Sequence, residues 1–123
     1  MRNYCIIGSG RQGTAAAYDI IKFGRPSSLT IIDFNDTSLE RCHKIIKKLT
    51  NYNIKIINLD INNSESLIKA LNKIDIFLSS VPYPLNPYLT DIAIESKTSM
   101  VDLGGHTQNV IKQLKRTDEA NTA

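Results

Sequence analysis

Apolar residues follow two alternating patterns along this chain. Short apolar-rich runs at 3–7, 29–33, 54–59, 74–79 and 100–103 are separated by stretches with apolar residues three and four apart. A short unbroken run suits a parallel strand buried on both faces, and the three-and-four spacing suits a helix with one inward stripe. The first helix is expected over 11–23: Ala15, Ala16 and Ala17 permit close approach to a sheet, and Ile20, Ile21 and Phe23 add bulk. Gly24 fits its C′ position, with Pro26 blocking continuation. The second helix opens at Asp36–Glu40, where Thr37 and Glu40 have capping-box spacing, and Leu39, Cys42, Ile46 and Leu49 should face the core. Asn62 or Asn63 caps a short third helix through about residue 72, with Leu67, Ile68 and Leu71 inward. Asn86 as N-cap with Pro87 at N1 starts a fourth, through about Ser96. Thr107 caps a last helix to about Arg116, and Thr117–Ala123 reads as a frayed or cut end. Strand and helix thus alternate five times, which predicts an α/β fold: a doubly wound, mostly parallel sheet with right-handed crossovers and helices on both faces.

Composition narrows the class without naming a function. A length of 123 residues suits one domain with one core. The net charge is only +3 with scattered cations, and the densest group, Lys44, Lys47 and Lys48, reads as the solvated face of a helix, so no nucleic-acid partner is expected. Cys5 lies in an apolar strand and Cys42 on an apolar helix face, so both read as small buried hydrophobes. No charged leader or apolar run of about 18 residues appears, which argues against a membrane partner and for a cytoplasmic protein. No His or Cys pair has ligand spacing, so no metal is expected. Neither G-x-S-x-G nor G-x-x-x-x-G-K-[ST] occurs.

Chemistry concentrates where the first strand meets the first helix. Gly8, Gly10 and Gly13 fall as G-x-G-x-x-G after an apolar run and at the start of a helical one. In that context Gly8 permits the tight turn, Gly10 leaves room for a pyrophosphate, and Gly13 lets the helix pack near the strand. The helix N-terminus then offers free N–H groups to the phosphates. This is the arrangement of a Rossmann-type dinucleotide domain. Ser9, Arg11 and Gln12 line the turn, with Arg11 placed either over the phosphates or in solvent.

Asp33 ends the second strand, twenty residues after Gly13. A carboxylate there can accept both adenosine ribose hydroxyls and would repel a 2′-phosphate, which favours NAD over NADP. Phe34 and Asn35 supply no cation to reverse that preference; the plainer reading is a polar loop residue. Asp60 ends the third strand, as an adenine contact or as a turn residue. Ser80, Val81 and Pro82 end the fourth strand on the edge expected to meet the nicotinamide half. Asp102 and His106 flank Gly104–Gly105 on the same edge, either touching a ligand or stabilising the turn; His43, in a lysine-rich helix, reads as solvated. A methyltransferase also carries a glycine turn and a strand-end acid, but a G-x-G-x-x-G opening the helix directly suits a dinucleotide better.

Three segments together resemble the saccharopine dehydrogenase-like family, lysine 6-dehydrogenase-like members in particular: Gly8 through Asp19, Ser79-Ser80-Val81-Pro82-Tyr83, and Val101-Asp102-Leu103-Gly104-Gly105-His106. The resemblance implies an NAD(P)-dependent oxidoreductase acting on the C–N bond of an amino acid of the lysine or saccharopine class. In that family the N-terminal domain holds the dinucleotide, and a following domain supplies much of the substrate site and a dimer interface. Residues 1–123 therefore read as the dinucleotide domain without that substrate domain, with a homodimer among the partners to expect. No position here matches the family's later catalytic residues, so none is assigned and no catalysis is expected from these residues alone. The alternative is a stand-alone nucleotide-binding or regulatory module.

Overall fold

The computed structural model describes all residues, Met1–Ala123. The elements run β1 (Asn3–Ile7), α1 (Arg11–Asp19), β2 (Ser28–Asp33), α2 (Asp36–Thr50), β3 (Lys55–Asn58), α3 (Ser64–Ala70), β4 (Ile76–Ser79), α4 (Asn86–Ser96), β5 (Ser99–Asp102), α5 (Thr107–Leu114) and α6 (Thr117–Thr122). All strand pairs are parallel, in the order β3-β2-β1-β4-β5. The doubly wound α/β expectation holds. The order reverses direction at β1, so a crevice opens above the carboxyl ends of β1 and β4, where open α/β sheets take their ligands.

Strand alternation divides the core between the two faces of the sheet. Ile6, Leu29 and Ile31 pack with Ala17, Leu39, Cys42 and Ile46 of α1 and α2 on one face. Cys5, Ile7, Ile32 and Phe77 pack with Leu67, Leu89 and Ile92 of α3 and α4 on the other. Each central strand is buried twice over, which is why it reads as an unbroken apolar run.

Several local expectations fail for identifiable reasons. The first helix widens into a π-helical turn at Ile20–Gly24, which carries its end one residue further, so Arg25 (φ 45°) and not Gly24 adopts the left-handed conformation. Phe23 is consequently exposed. The capping box does not form. Asn35 is the N-cap and its side chain accepts from the Ser38 N–H at 3.0 Å, leaving Thr37 inside the helix. Leu49 is 59% exposed, because the buried stripe of α2 passes from Ile46 to half-buried Thr50, four residues on. The cap of α3, by contrast, forms as expected: of the two candidates it is Asn63, accepting from the Ser66 N–H.

Asn86 does not cap α4. A 3₁₀ turn at Tyr83–Leu85 runs into the helix without an extended residue, and the buried Asn86 side chain instead accepts from Ser79 Oγ at 2.8 Å. Thr107 is the first residue of α5 and not its cap, since His106 holds the extended N-cap position. The last residues are not frayed: Thr117–Thr122 is helical, and Arg116 pairs with Glu119 and with Asp91 of α4. Lys44, Lys47 and Lys48 are exposed, whereas His43 is half-buried rather than solvated.

Candidate functional site

The turn between β1 and α1 is held from both neighbouring strands. Gly8 (φ 106°) has no room for a side chain: a Cβ there would lie 2.7 Å from Ser80 Oγ and 3.0 Å from the Ser80 carbonyl carbon. A Cβ on Gly13 would lie 2.0 Å from the Gly8 carbonyl oxygen. Both glycines therefore answer to the protein's own packing. Gly10 differs. Its φ is −70°, and no atom lies within 4 Å of where its Cβ would be. The fold gives no reason for a glycine at that position, whereas a ligand lying against the turn would.

Polar groups around the turn are paired. Ser9, 1% exposed, donates its backbone N–H and its hydroxyl to Asp33 Oδ2, at 2.9 and 2.7 Å. The Gly8 N–H donates to the Ile32 carbonyl at 2.8 Å, and Thr14 Oγ1 donates to the Ser9 carbonyl at 3.3 Å. From the residue directly after β4, the Ser80 hydroxyl faces the Gly8 and Ile7 carbonyls at 2.8 and 3.1 Å. α1 begins at Arg11, so the N–H groups of its first turn lack intrahelical acceptors and form an anion-favouring end. Arg11 and Gln12 are exposed beside them, and Arg11 forms no ion pair.

On one side of the turn lies a cleft of about 360 Å³ whose lining includes Gly8, Asp33, Phe34, Asp60, Val81 and Pro82. It gathers residues from the ends of β1, β2, β3 and β4. Burial pushes the Asp33 carboxyl up, yet hydrogen bonds from the Ser9 hydroxyl and N–H and from the Asn35 and Phe34 backbones outweigh it and hold the group below the ordinary aspartate range. Asp33 is thus an anion at the mouth of the cleft. Asp60 accepts from the Asn62 N–H at 3.0 Å, which is turn chemistry, while remaining exposed at the rim. Ser80 is placed differently from Val81 and Pro82: they wall the cleft, and it braces the turn beneath.

Phe34 also lines the cleft, a role its sequence position alone does not predict. It is 72% exposed at the cleft, and its signal was a large apolar residue directly after a strand-end acid, outside any buried pattern. A second groove, on the other side of Gly10, is lined by Gly10, Arg11, Thr14, Tyr18 and Arg41, with Leu49 among its apolar residues.

Asp102 and His106 do not join the cleft. Asp102 accepts from the Gly104 N–H at 2.7 Å and from Gln113 Nε2 at 2.8 Å, and His106 stacks on Tyr83 with ring centres 5.0 Å apart. Burial pushes both the Cys5 and Cys42 thiols up, which removes them as nucleophiles. No group of three His, Cys, Asp or Glu residues is placed to hold a metal ion. No helix is long and apolar enough to cross a membrane.

Comparison with known proteins shows a family and supports the fold. Residues 4–123 match the family model described as the saccharopine dehydrogenase NADP binding domain. Among solved structures, apo histidine-tagged saccharopine dehydrogenase (L-Glu forming) from Saccharomyces cerevisiae superposes with a TM-score of 0.75 at 20% identity, covering 91% of this chain and 24% of that one. The WlbA dehydrogenase from Bordetella pertussis, solved with NADH and UDP-GlcNAcA, gives 0.70 at 18% identity, over 98% of this chain and 34% of that one. A shikimate 5-dehydrogenase from Mycobacterium fortuitum gives 0.68 at 16%, over 95% and 42%. Likeness at such identities establishes the fold, and this chain spans from about a quarter to two fifths of those proteins' lengths.

Proposed function

We propose, for a chain that belongs to the saccharopine dehydrogenase NADP binding domain family, that it is the cofactor-holding part of an oxidoreductase acting on the C–N bond of an amino acid of the lysine or saccharopine class. The observation that carries the cofactor assignment is Gly10, an open position on a turn whose other two glycines are required by packing. A nicotinamide dinucleotide fits the residues present. Its pyrophosphate would lie against Gly10 and the first turn of α1, and its adenosine would enter the cleft of Asp33, Phe34 and Asp60. When bound, the dinucleotide supplies a hydride acceptor or donor.

We favour NAD over NADP. Asp33 is held as an anion where the ribose hydroxyls would sit, and Asp36, not a cation, follows Phe34 and Asn35. The second reading is NADP, supported by the family's description and by Arg11 and Arg41, which flank Gly10 on its other side without ion-pair partners. Asp102 is engaged by Gly104 and Gln113, and His106 stacks on Tyr83 outside the cleft, so neither is placed to fix a substrate there and turnover by residues 1–123 alone is not expected.

Calorimetric titration of the chain with NAD and NADP tests the assignment. The expected result is binding of both with NAD tighter; equal or tighter NADP binding moves the specificity to the arginine groove. Gly10→Val should abolish binding while leaving the fold intact, and a folded variant with unchanged affinity would remove the pyrophosphate from this turn.

A further inference from the structure

We propose that Ser9 and Asp33 form a clamp that sets the phosphate-binding turn before any dinucleotide arrives, making Ser9 a positioning residue and giving Asp33 a second task besides the ribose. The inference rests on the dinucleotide reading above and concerns how that site reaches its affinity.

The turn is fixed by side chains at both polar ends. Its N–H and hydroxyl at Ser9 point to the β2 carboxylate, and its carbonyl at Gly8 accepts from the hydroxyl of Ser80, the residue directly after β4. Ser9 is 1% exposed, so its hydroxyl faces Asp33 and not a ligand. An ionised carboxylate offers roughly four acceptor positions. Oδ2 receives both Ser9 hydrogens at 2.9 and 2.7 Å, while Oδ1 receives the Asn35 N–H at 3.2 Å, and the Phe34 backbone contributes least, so a ribose hydroxyl would compete with these weaker backbone bonds while Oδ2 holds the turn. A turn already in place needs no ordering when the pyrophosphate binds, and that lowers the cost of association. The two tasks of Asp33 separate cleanly at Ser9: removing its hydroxyl loosens the clamp but leaves the carboxylate free to meet the ribose.

The test compares wild type with Ser9→Ala in two measurements. In the ligand-free protein, the Asp33 carboxyl is titrated by carbon NMR. The clamp predicts that its midpoint rises toward the ordinary aspartate range in Ser9→Ala, and an identical midpoint in the two proteins overturns it. In calorimetry, NAD and its adenosine 2′-deoxy analogue are the probes. Loss of a charge-assisted bond that orders the turn should weaken both by about tenfold, leaving their ratio unchanged. Wild-type affinity for NAD in a folded Ser9→Ala overturns the clamp. If wild type binds neither nucleotide, the cofactor reading falls, and the carboxyl titration still decides whether Ser9 and Asp33 act together.

Discussion

Two ends of the same sheet edge are built in opposite ways. At β1, β2 and β4 the first residues of the glycine turn, Gly8 and Ser9, are buried and hydrogen-bonded, and two of the turn's three glycines are demanded by atoms within 3 Å. At β5 and α5 the turn through Gly104 and Gly105 has no neighbour within 4 Å of either missing Cβ. The helix after it makes its polar contacts through Asn109 and Gln113, and it leaves Val110, Ile111 and Leu114 exposed. The first end is specified by contacts this chain makes with itself. The second is specified mainly by polar bonds at its rim. The proposed cofactor site lies at the first end, where the turn is held without a partner.

The sharpest test of the contrast swaps the same methyl group into both ends. Gly13→Ala sets a Cβ 2.0 Å from the Gly8 carbonyl oxygen, a backbone atom that cannot swing aside. The expected loss is about 3 kcal/mol of unfolding free energy, as in severe overpacking. Gly104→Ala meets nothing and costs only the left-handed backbone at φ 67°, about 1 kcal/mol. Urea unfolding of both variants measures the difference; equal losses would mean that the turn yields as readily as the far loop.

The fold was legible because its signals are repeated and redundant. Five apolar runs and their helical partners give the layers; of the signature residues Gly8 and Asp33 line the cleft, whereas Gly10 lines the groove beside it. What was not legible is which partner each polar side chain takes. Ser80 and Asp33 stand near a strand end in sequence, but the turn bonds they form join positions 24 and 72 residues apart. Helix ends failed for a local reason: Asn35 outcompeted Thr37 as a cap, and Asn86 was drawn to Ser79 from a helix already started by a 3₁₀ turn. Leu49 failed because three-residue and four-residue spacings both fit one stripe, and the packing of α2 chose the latter.

A buried pair and a rim pair extend the comparison at smaller amplitude. Ser79→Ala leaves the buried Asn86 side chain without its donor and should cost about 2 kcal/mol. Gln113→Ala removes bonds to Thr90 and Asp102 that water can replace in part, and about 1 kcal/mol is expected. Denaturant midpoints at constant slope distinguish the two, and a costlier Gln113→Ala would reverse the ranking of the ends.

Acid dependence probes the braced end alone. The folded Asp33 carboxyl titrates below its unfolded value, so its bonds contribute fully above the unfolded aspartate range of about 3.9 and fade as pH falls through the folded value. Wild type should therefore lose more stability than Asp33→Asn between about pH 4 and pH 2. Parallel urea midpoints for the two proteins across that window would place the anchoring of the turn on Ser80 and the backbone, with the carboxylate a bystander.

The smallest effect belongs to the far end and is the most diagnostic of its construction. Val110, Ile111 and Leu114 lie on a helix whose inward positions are polar, so their side chains contribute little buried area to this chain. Leu114→Ser should change unfolding free energy by no more than about 0.5 kcal/mol, where a core leucine exchanged for a small residue costs several times that. A loss of about 2 kcal/mol or more, read from urea unfolding, would show that α5 holds the sheet through Leu114 after all. In that case the contrast between a self-contained turn and a rim-held edge would have to be drawn at β5 itself, where Val101 and Leu103 are also exposed.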